Sequence, residues 1–310
     1  MNWDAEVDVV STGSGIAGLA HAVAVVDMGG EVFVADSRGD IGPGGTSVAV
    51  RSRVDQLHWL QVDVSDPETN EYFAAVSSDL GPLTRSARDS DVPIRLVDDV
   101  EPADPRGAVP PFIGARLRDW AACCLVSPSG YLYTQLSDWR STTLRTVDGE
   151  SLEVAEIGSI TPDPADFGGS VLDWLTEQAE DRCIDVHQAT SLKRIVFEEG
   201  DVVGAVFTTP DGPLALRARH GVIVASGGPQ AALAVGQSLP AGGALRVCLV
   251  GKAGSRFGRV ELLTSEPLPR PAASNCRAAN RQLHTSLHDT HSYLHTWCCG
   301  KGNGYPASGQ

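Results

Sequence analysis

The order of hydrophobic and polar residues in the first 36 positions predicts three elements. Val7-Asp8-Val9-Val10 is a short run rich in β-branched residues, which favours a strand. A glycine-rich segment follows, and from there to Met28 the chain is mostly apolar with helical spacing. Gly29-Gly30 is expected to end this helix, and Glu31–Asp36 is typical of a second strand. The pattern therefore predicts a strand–helix–strand unit.

A second group of elements is predicted further along the chain. Residues 169–182 have one apolar helical face, formed by Val171, Leu172, Leu175 and Ala179. A strand over Ile184–His187 follows, and a helix leading into a strand is typical of a crossover in a parallel sheet. Ser191–Arg219 contains several β segments separated by Glu-Gly and Asp-Gly turns. We expect a sheet that starts with the first unit and resumes near residue 184.

The glycine-rich segment has the spacing of a dinucleotide-binding unit. Gly13 would permit a tight turn, Gly15 would let backbone N–H groups approach a pyrophosphate, and Gly18 would let the helix pack against the strand. The helix N-terminus adds a positive dipole end. Asp36 is placed to accept both hydroxyls of an adenosine ribose, which favours FAD or NAD over NADP. The alternative is a similar turn whose glycines serve packing only.

Lysine positions exclude one class of dinucleotide enzyme. Short-chain dehydrogenases need a Tyr-x-x-x-Lys pair, and the only lysines are Lys193, Lys252 and Lys301. The residues four positions earlier are Ala189, Cys248 and Trp297, none of them tyrosine.

Composition and charge narrow the function further. The 310 residues are enough for two average domains or one large α/β domain with insertions. The net charge of -15 disfavours nucleic acid as a partner. No apolar run approaches the roughly 20 residues of a membrane span, and the N-terminus lacks signal-peptide order. The sequence predicts a soluble cytoplasmic protein, with self-association into a homo-oligomer left open.

Charge and cysteine patterns change near residue 250. Residues 251–310 hold seven Lys/Arg against three Asp/Glu, a charge of +4, whereas residues 1–250 hold 17 against 36, a charge of -19. Neither Cys123-Cys124 nor Cys298-Cys299 has the spacer of a zinc or thioredoxin-like site, so we expect reduced thiols for the seven cysteines.

Three segments resemble the FAD-binding oxidoreductases of the fumarate reductase and succinate dehydrogenase flavoprotein type, which include 3-ketosteroid Δ1-dehydrogenases. The first is Asp8–Asp36, and the second is Gly44-Gly45-Thr46-Ser47, similar to a turn at the FAD phosphates and flavin. The third runs from Ile184 to Gly228 and contains a third strand, a meander and an Ala-Ser-Gly-Gly strand end.

The resemblance implies an α/β fold with FAD as cofactor. A Rossmann-like FAD-binding domain, with a parallel sheet, helices and a β-meander, would comprise residues 1–60 and 168–262. Residues 61–167 would form a smaller inserted α+β region on the substrate side, and 263–310 a helical, His-rich segment. The implied cofactor-binding residues are Gly13, Ser14, Gly15, Ile16, Ala17, Gly18, Asp36, Ser37, Gly44, Gly45, Thr46, Ser47, Ser191, Ala225, Ser226, Gly227 and Gly228.

The implied reaction is hydride transfer between flavin and a substrate carbon beside an activated bond. Gly304–Gly309 is similar to a Tyr-Pro-Gly-Pro-Gly segment of ketosteroid dehydrogenases, which makes Tyr305 and Gly309 the candidates for polarising a carbonyl of a small-molecule substrate. The chain departs from the family at Val48–Arg51, where a Gly-Gly run is usual, and only 82 residues follow Gly228. We therefore expect a member shortened at its C-terminus.

Two alternatives stay open. One is a non-catalytic or truncated nucleotide-binding remnant. The other is a metal-binding or partner-docking protein, because His284, His288, His291 and His295 share one face of a predicted helix. No metal ligand is assigned. In the insertion, five residues could contact substrate, although surface arginines and core tyrosines are the commoner outcome: Arg116, Arg118, Tyr131, Tyr133 and Arg140.

Overall fold

The computed structural model describes residues 2–37, 64–80, 92–98, 114–135, 141–147, 149–163, 165–225 and 243–266. The strands in this part of the chain are β1 (Ala5–Val7), β2 (Val9–Ser11), β3 (Val32–Ala35), β4 (Ile94–Asp98), β5 (Gly130–Tyr133), β6 (Thr142–Thr146), β7 (Ser151–Ile160), β8 (Val186–His187), β9 (Ser191–Glu198), β10 (Asp201–Thr209), β11 (Gly212–Ala218), β12 (Val222–Ala225), β13 (Leu245–Gly251) and β14 (Phe257–Thr264). The helices are α1 (Ile16–Asp27), α2 (Pro67–Ser77), α3 (Gly114–Val126) and α4 (Phe167–Asp181), with a 3₁₀ helix at Ser78–Leu80.

The first predicted strand is divided between two sheets. β1 pairs in parallel with β11, whereas β2 pairs in parallel with β3 and β12. Asp8 lies at the break, where its carboxylate accepts a 2.8 Å hydrogen bond from the Glu31 backbone N–H and a 3.0 Å bond from Arg219. The hydrogen bond from the Glu31 backbone N–H has the largest effect on the pKa of Asp8, and with the Arg219 bond it lowers this pKa, which keeps the carboxylate ionised. The short apolar run therefore bends at its one charged residue.

The larger sheet has ten strands in the order β13-β7-β6-β4-β14-β5-β12-β2-β3-β8. Its end from β12 to β8 is parallel, so the predicted crossover through α4 into β8 is present. The sheet as a whole is mixed, because β5 pairs antiparallel with both β12 and β14. Strands of the predicted insertion thus join the same sheet as the first unit. β13 also pairs with β14, which connects the far end of the sheet back to its middle.

The predicted meander forms a separate four-stranded sheet in the order β1-β11-β10-β9. β9, β10 and β11 are antiparallel neighbours. The turns lie where the Glu-Gly and Asp-Gly pairs predict them, with positive φ at Glu199, Gly200 and Gly212. Thr69 of α2 covers an outer strand, because its hydroxyl oxygen accepts a 2.9 Å hydrogen bond from the Ile195 backbone N–H.

Helices cover one face of the parallel strands, and the meander covers the other. Val9, Val34 and Ile223 pack in one buried cluster with apolar residues of α1 and α4. Val10, Phe33 and Val222 face a second cluster, which includes residues of β10, β11 and α3. The predicted apolar face of α4 is buried at Val171, Leu175 and Ala179, with Leu172 partly buried. Alternation along each strand therefore places neighbouring residues in different layers.

Asp66 is the N-cap of α2. Its carboxylate accepts a 2.9 Å hydrogen bond from the Thr69 backbone N–H, and Pro67 occupies the first helical turn. None of the helices in the described residues is both long and apolar enough to span a bilayer.

Candidate functional site

The glycine-rich turn, residues 12–18, lies at the carboxyl edge of the parallel strands. β2 leads into it, with β3 and β12 on either side in parallel register. The Thr12 N–H donates to the Ile223 carbonyl, and a Cβ added at Gly13 would lie 3.5 Å from the Cβ of Ala225. Ligands of open α/β sheets bind where the carboxyl ends of such strands diverge. The structure therefore brings Gly13 and Ala225 together at the expected edge.

Helix α1 begins directly from this turn. Its N-cap is Gly15 in an extended conformation, and in this described segment no side chain caps the helix and no acidic residue occupies its first turn. The first N–H groups of a helix have no intrahelical acceptors, and the dipole there favours negative charge. The residues Ser14, Ile16 and Ala17 share this turn with Gly15. Such an N-terminus has the chemistry of a phosphate-binding site.

Gly18 is the residue of the turn with the strictest steric requirement. A Cβ at this position would lie 1.7 Å from the Gly13 carbonyl oxygen and 2.8 Å from the Ser11 hydroxyl. That hydroxyl donates a 2.9 Å hydrogen bond to the same Gly13 carbonyl. The close packing of helix and strand expected for Gly18 is present. Gly13 has a different environment, because an added Cβ would make only ordinary van der Waals contact.

Asp36 follows β3 at the same edge of the sheet and is 3% exposed. Its backbone N–H donates to the His187 carbonyl, and its carbonyl accepts from the Thr190 N–H, both at 2.9 Å. The turn after β8 therefore fixes the Asp36 backbone from two sides. Ser37 is exposed beyond it, and Ser191 begins β9 immediately after Thr190. Asp36 and Ser191 are thus joined through one turn.

Several predicted site residues lie outside the described residues. They are Gly44, Gly45, Thr46, Ser47, Ser226, Gly227, Gly228, Tyr305 and Gly309. The histidine face from His284 to His295 also lies outside them. Over the described ranges, no group of three or more His, Cys, Asp or Glu side chains is arranged to hold a metal ion.

His21 is a buried polar residue that the sequence reasoning missed. It lies on α1 among alanines, leucine and valines, is 1% exposed, and its Nδ1 is 2.7 Å from the Ala17 carbonyl. Its ring meets Tyr131 edge to face, with 4.1 Å between centroids. Burial lowers the pKa of His21 to about 4, against a smaller opposing effect of the Ala17 hydrogen bond. The signal in the sequence that could have identified it is a single histidine within an otherwise apolar predicted helix.

Acidification is expected to destabilise the fold through His21. The pKa is about 4 in the folded protein and 6.5 as the reference value, so the unfolded chain binds the proton first as the pH falls. The stabilisation is complete above pH 6.5 and is lost as the pH falls towards 4. At 1.36 kcal/mol per pKa unit, the loss is about 3 kcal/mol.

Urea unfolding of the native protein and of His21→Gln at pH 7 and pH 4.5 measures this effect. We expect the native protein to lose more stability than His21→Gln over this range. His220→Gln is the matched control, because the His220 side chain is 67% exposed. Equal pH dependence in the native protein and His21→Gln would contradict the assignment.

Residues 114–255, just under half of the chain, match the family model of the FAD binding domain. The match runs from α3 through β13 and includes β12 with Ala225 and the meander. This part of the chain is therefore similar to FAD binding domains, and FAD is the cofactor that the match indicates. The glycine-rich turn precedes the matched residues and pairs with them through β2 and β12.

Three solved structures of flavoproteins and steroid enzymes are similar to this chain at low identity. A flavocytochrome c3 fumarate reductase is 17% identical, with a TM-score of 0.28, over 70% of this chain and 33% of its own. The 3-ketosteroid-Δ4-(5α)-dehydrogenase of Rhodococcus jostii RHA1 is 21% identical, with a TM-score of 0.29, over 72% and 46%. The 3-ketosteroid Δ1-dehydrogenase of Sterolibacterium denitrificans is 15% identical, with a TM-score of 0.30, over 70% and 47%.

The matched part spans between a third and a half of the length of these three proteins. No curated protein sequence matches the chain.

Proposed function

We propose that this protein binds FAD at the glycine-rich turn and acts as an FAD-dependent oxidoreductase. The observation that carries the proposal is the match of residues 114–255 to the FAD binding domain, because β12 of that region pairs directly with the strand leading into the turn. Small-molecule substrates with a carbon beside an activated C=C or C–C bond are the class that we propose.

The residues at the turn fit the negatively charged part of FAD. The N-terminus of α1 would receive the pyrophosphate, since Gly15 and its neighbours offer backbone N–H groups without a competing acid in the first turn. Gly18 supports this arrangement by letting α1 begin close to Gly13. The proposed contacts therefore use backbone groups that the fold already directs to this edge.

Asp36 fits the ribose end of the cofactor. A carboxylate at the end of the second parallel strand accepts hydrogen bonds from both ribose hydroxyls and disfavours a 2′-phosphate. The backbone hydrogen bonds of Asp36 to His187 and Thr190 support a fixed position for the Asp36 carboxylate. We place the adenine side of the cofactor near Ser191 and Ser37, and the flavin side near Gly44–Ser47 and Ala225–Gly228.

We further propose that the parallel strands, α1 and α4 form a Rossmann-like domain. Residues 1–60 and 168–262 would form this domain, 61–167 the substrate side, and 263–310 a separate segment. Two observations support this division. The first unit has the order β2, α1, β3 that a Rossmann-like domain requires, and β2 pairs in parallel with both β3 and β12.

FAD supplies hydride acceptance or donation when it is bound. The chain would bind and orient the substrate, and Tyr305 with the backbone N–H of Gly309 would stabilise negative charge that develops on a substrate carbonyl oxygen. These two roles remain proposals, to be tested with enone and dicarboxylate substrates and the Tyr305→Phe variant.

Flavin binding is the first test. The purified protein is expected to show the visible absorption of an oxidised flavin, or to acquire it when FAD is added. Asp36→Asn is expected to weaken FAD binding about tenfold or more, because a hydrogen bond to a charged group contributes about 1.5–3 kcal/mol. Asp27→Asn is the matched control, since Asp27 lies at the far end of α1.

A colourless protein that takes up no added FAD would overturn the proposal and favour the remnant interpretation. Equal FAD affinity of native protein and Asp36→Asn would overturn the assignment of Asp36 to the ribose while leaving flavin binding intact.

A further inference from the structure

The last residue of β8, His187, carries an exposed aromatic ring next to the site proposed for FAD. β8 pairs in parallel with β3, and in this register His187 lies opposite Ala35. The His187 carbonyl accepts a 2.9 Å hydrogen bond from the backbone N–H of Asp36. His187 therefore lies at the same carboxyl edge of the sheet as the proposed ribose acceptor, one strand further along.

The His187 ring is held in position by a stack on Phe33. The planes of the two rings are 11° from parallel, and their centroids are 4.2 Å apart. Phe33 is 6% exposed and contacts the ring of Phe207, which is fully buried, at 5.4 Å between centroids. Among the described residues, Phe33 is the one ring that contacts His187. One face of the imidazole thus packs on the core, and the exposed side chain presents the other face to a ligand.

The turn after His187 fixes its position relative to Asp36. Thr190 is 2% exposed, its N–H donates to the Asp36 carbonyl, and its hydroxyl donates a 3.0 Å hydrogen bond to the Gln188 carbonyl. Ala189 lies between these two residues with a φ of 51°, in the left-handed region that residues with a side chain seldom adopt. The turn therefore has one specific shape, which hydrogen bonds on both sides maintain.

The order of the strands gives the direction in which a dinucleotide would extend from the glycine-rich turn. That turn follows β2, Asp36 follows β3, and His187 ends β8, and these three strands are consecutive neighbours in the sheet. A pyrophosphate at the N-terminus of α1 and a ribose at Asp36 would occupy the first two positions. Neighbouring strands lie about 4.8 Å apart, so the base attached to that ribose would reach the end of β8.

We propose that His187 binds the adenine base of the cofactor by stacking on it with the ring face opposite Phe33. This inference rests on the proposed binding of FAD and adds to it a residue that favours a cofactor with an adenine base. Phe33, His187 and adenine form a continuous stack, in which offset parallel rings attract one another. Such an aromatic surface recognises the flat face of a base and requires no hydrogen bonds to its edges.

Isothermal titration with ADP and with FAD, on protein from which bound flavin has been removed, tests the stack. His187→Ala is expected to weaken binding of both ligands about fivefold or more, the usual scale for stacking of a base on an aromatic side chain. His187→Phe keeps an aromatic face, so we expect an affinity close to that of the native protein. His220→Ala is the matched control with unchanged affinity. His220 is also exposed, but its backbone N–H donates to the Asp8 carbonyl at the opposite edge of the sheet, before β2 begins.

His187→Leu separates base stacking from a structural role in covering Phe33. Leucine can cover Phe33 but has no aromatic face, so the affinity for ADP is expected to fall as it does in His187→Ala. A purely structural role predicts native affinity for this variant. Because the His187 side chain is exposed, we expect all three variants to unfold near the temperature of the native protein.

The outcomes distinguish this inference from the proposed function. Equal affinities of the native protein and His187→Ala, or of the native protein and His187→Leu, overturn the role of His187 and leave the flavin proposal unchanged. A loss in His187→Phe as large as that in His187→Ala overturns it as well. Native protein that binds neither ADP nor FAD overturns the proposed function and this inference with it.

Discussion

Glu261→Gln is expected to lower the free energy of unfolding by about 3–5 kcal/mol, because it removes the charge of a buried carboxylate that pairs with two partly buried arginines. Glu261 is 0% exposed on β14. Arg95 donates to both of its carboxylate oxygens at 2.7 and 2.8 Å, and Arg259 donates to Oε1 at 2.7 Å. Urea unfolding monitored by circular dichroism measures the loss.

The surroundings of Glu261 increase the expected cost. Lys252 and Arg259 lie over the Trp120 ring, with Nζ and Cζ at 5.0 and 5.2 Å from its centroid. Glu150 is the second carboxylate of this cluster and pairs with both Arg95 and Lys252. Without the charge of Glu261, Arg95 and Lys252 would share Glu150, and Arg259 would lose the carboxylate with which it pairs.

Glu198→Gln is the control for this prediction. Glu198 also lies on a strand and pairs with an arginine, Arg217, but the two atoms are 3.8 Å apart and both side chains are more than 40% exposed. Exposed ion pairs contribute about 1 kcal/mol or less. A loss of similar size in the two variants would show that burial of Glu261 does not determine its contribution.

Gly18→Ala is expected to destabilise the fold by about 3 kcal/mol or more and to reduce flavin retention with it. The added methyl group would lie 1.7 Å from the Gly13 carbonyl oxygen, which belongs to the backbone and cannot rotate away. Either α1 moves from β2 or the turn changes shape, and both disturb the N-terminus of α1. Thermal unfolding and the flavin absorption of the purified variant are the two measurements.

Gly13→Ala is the matched control in the same turn. Its methyl group would lie 3.5 Å from the Ala225 Cβ, an ordinary contact, and Gly13 is not among the glycines with positive φ. We expect a stability close to that of the native protein. If Gly18→Ala unfolds at the same temperature as the native protein, the fold does not require the close approach of α1 and β2 at Gly18.

Local sequence patterns predicted the elements of the first unit and the meander. α1, β3 and α4 lie within a few residues of the predicted bounds because apolar spacing and glycine or capping signals act over one or two turns of chain. The hairpin turns at Gly200 and Gly212 were predictable for the same reason, since positive φ favours glycine. The resemblance to FAD-binding oxidoreductases depended on these same local segments.

Pairing between distant strands could not be predicted from the same patterns. The sequence gives no local sign that β5 lies antiparallel to β12, or that Asp8 divides an apolar run between two sheets. Tyr131 and Tyr133 were noted as insertion residues, but the buried contact of Tyr131 with His21 depends on β5 lying beside α1. This contact was therefore outside the reach of sequence reasoning.

The sequence by itself determined the strand–helix–strand unit, its glycine-rich turn and the acid after β3, because each depends on neighbours along the chain. The tertiary structure alone decided the mixed ten-stranded sheet, the contact of His21 with Tyr131 and the charge cluster at Glu261. The bond from Arg95 to Glu261 joins residues 166 positions apart. Such contacts form only when folding removes both partners from water, so their energy depends on burial and geometry rather than on residue type.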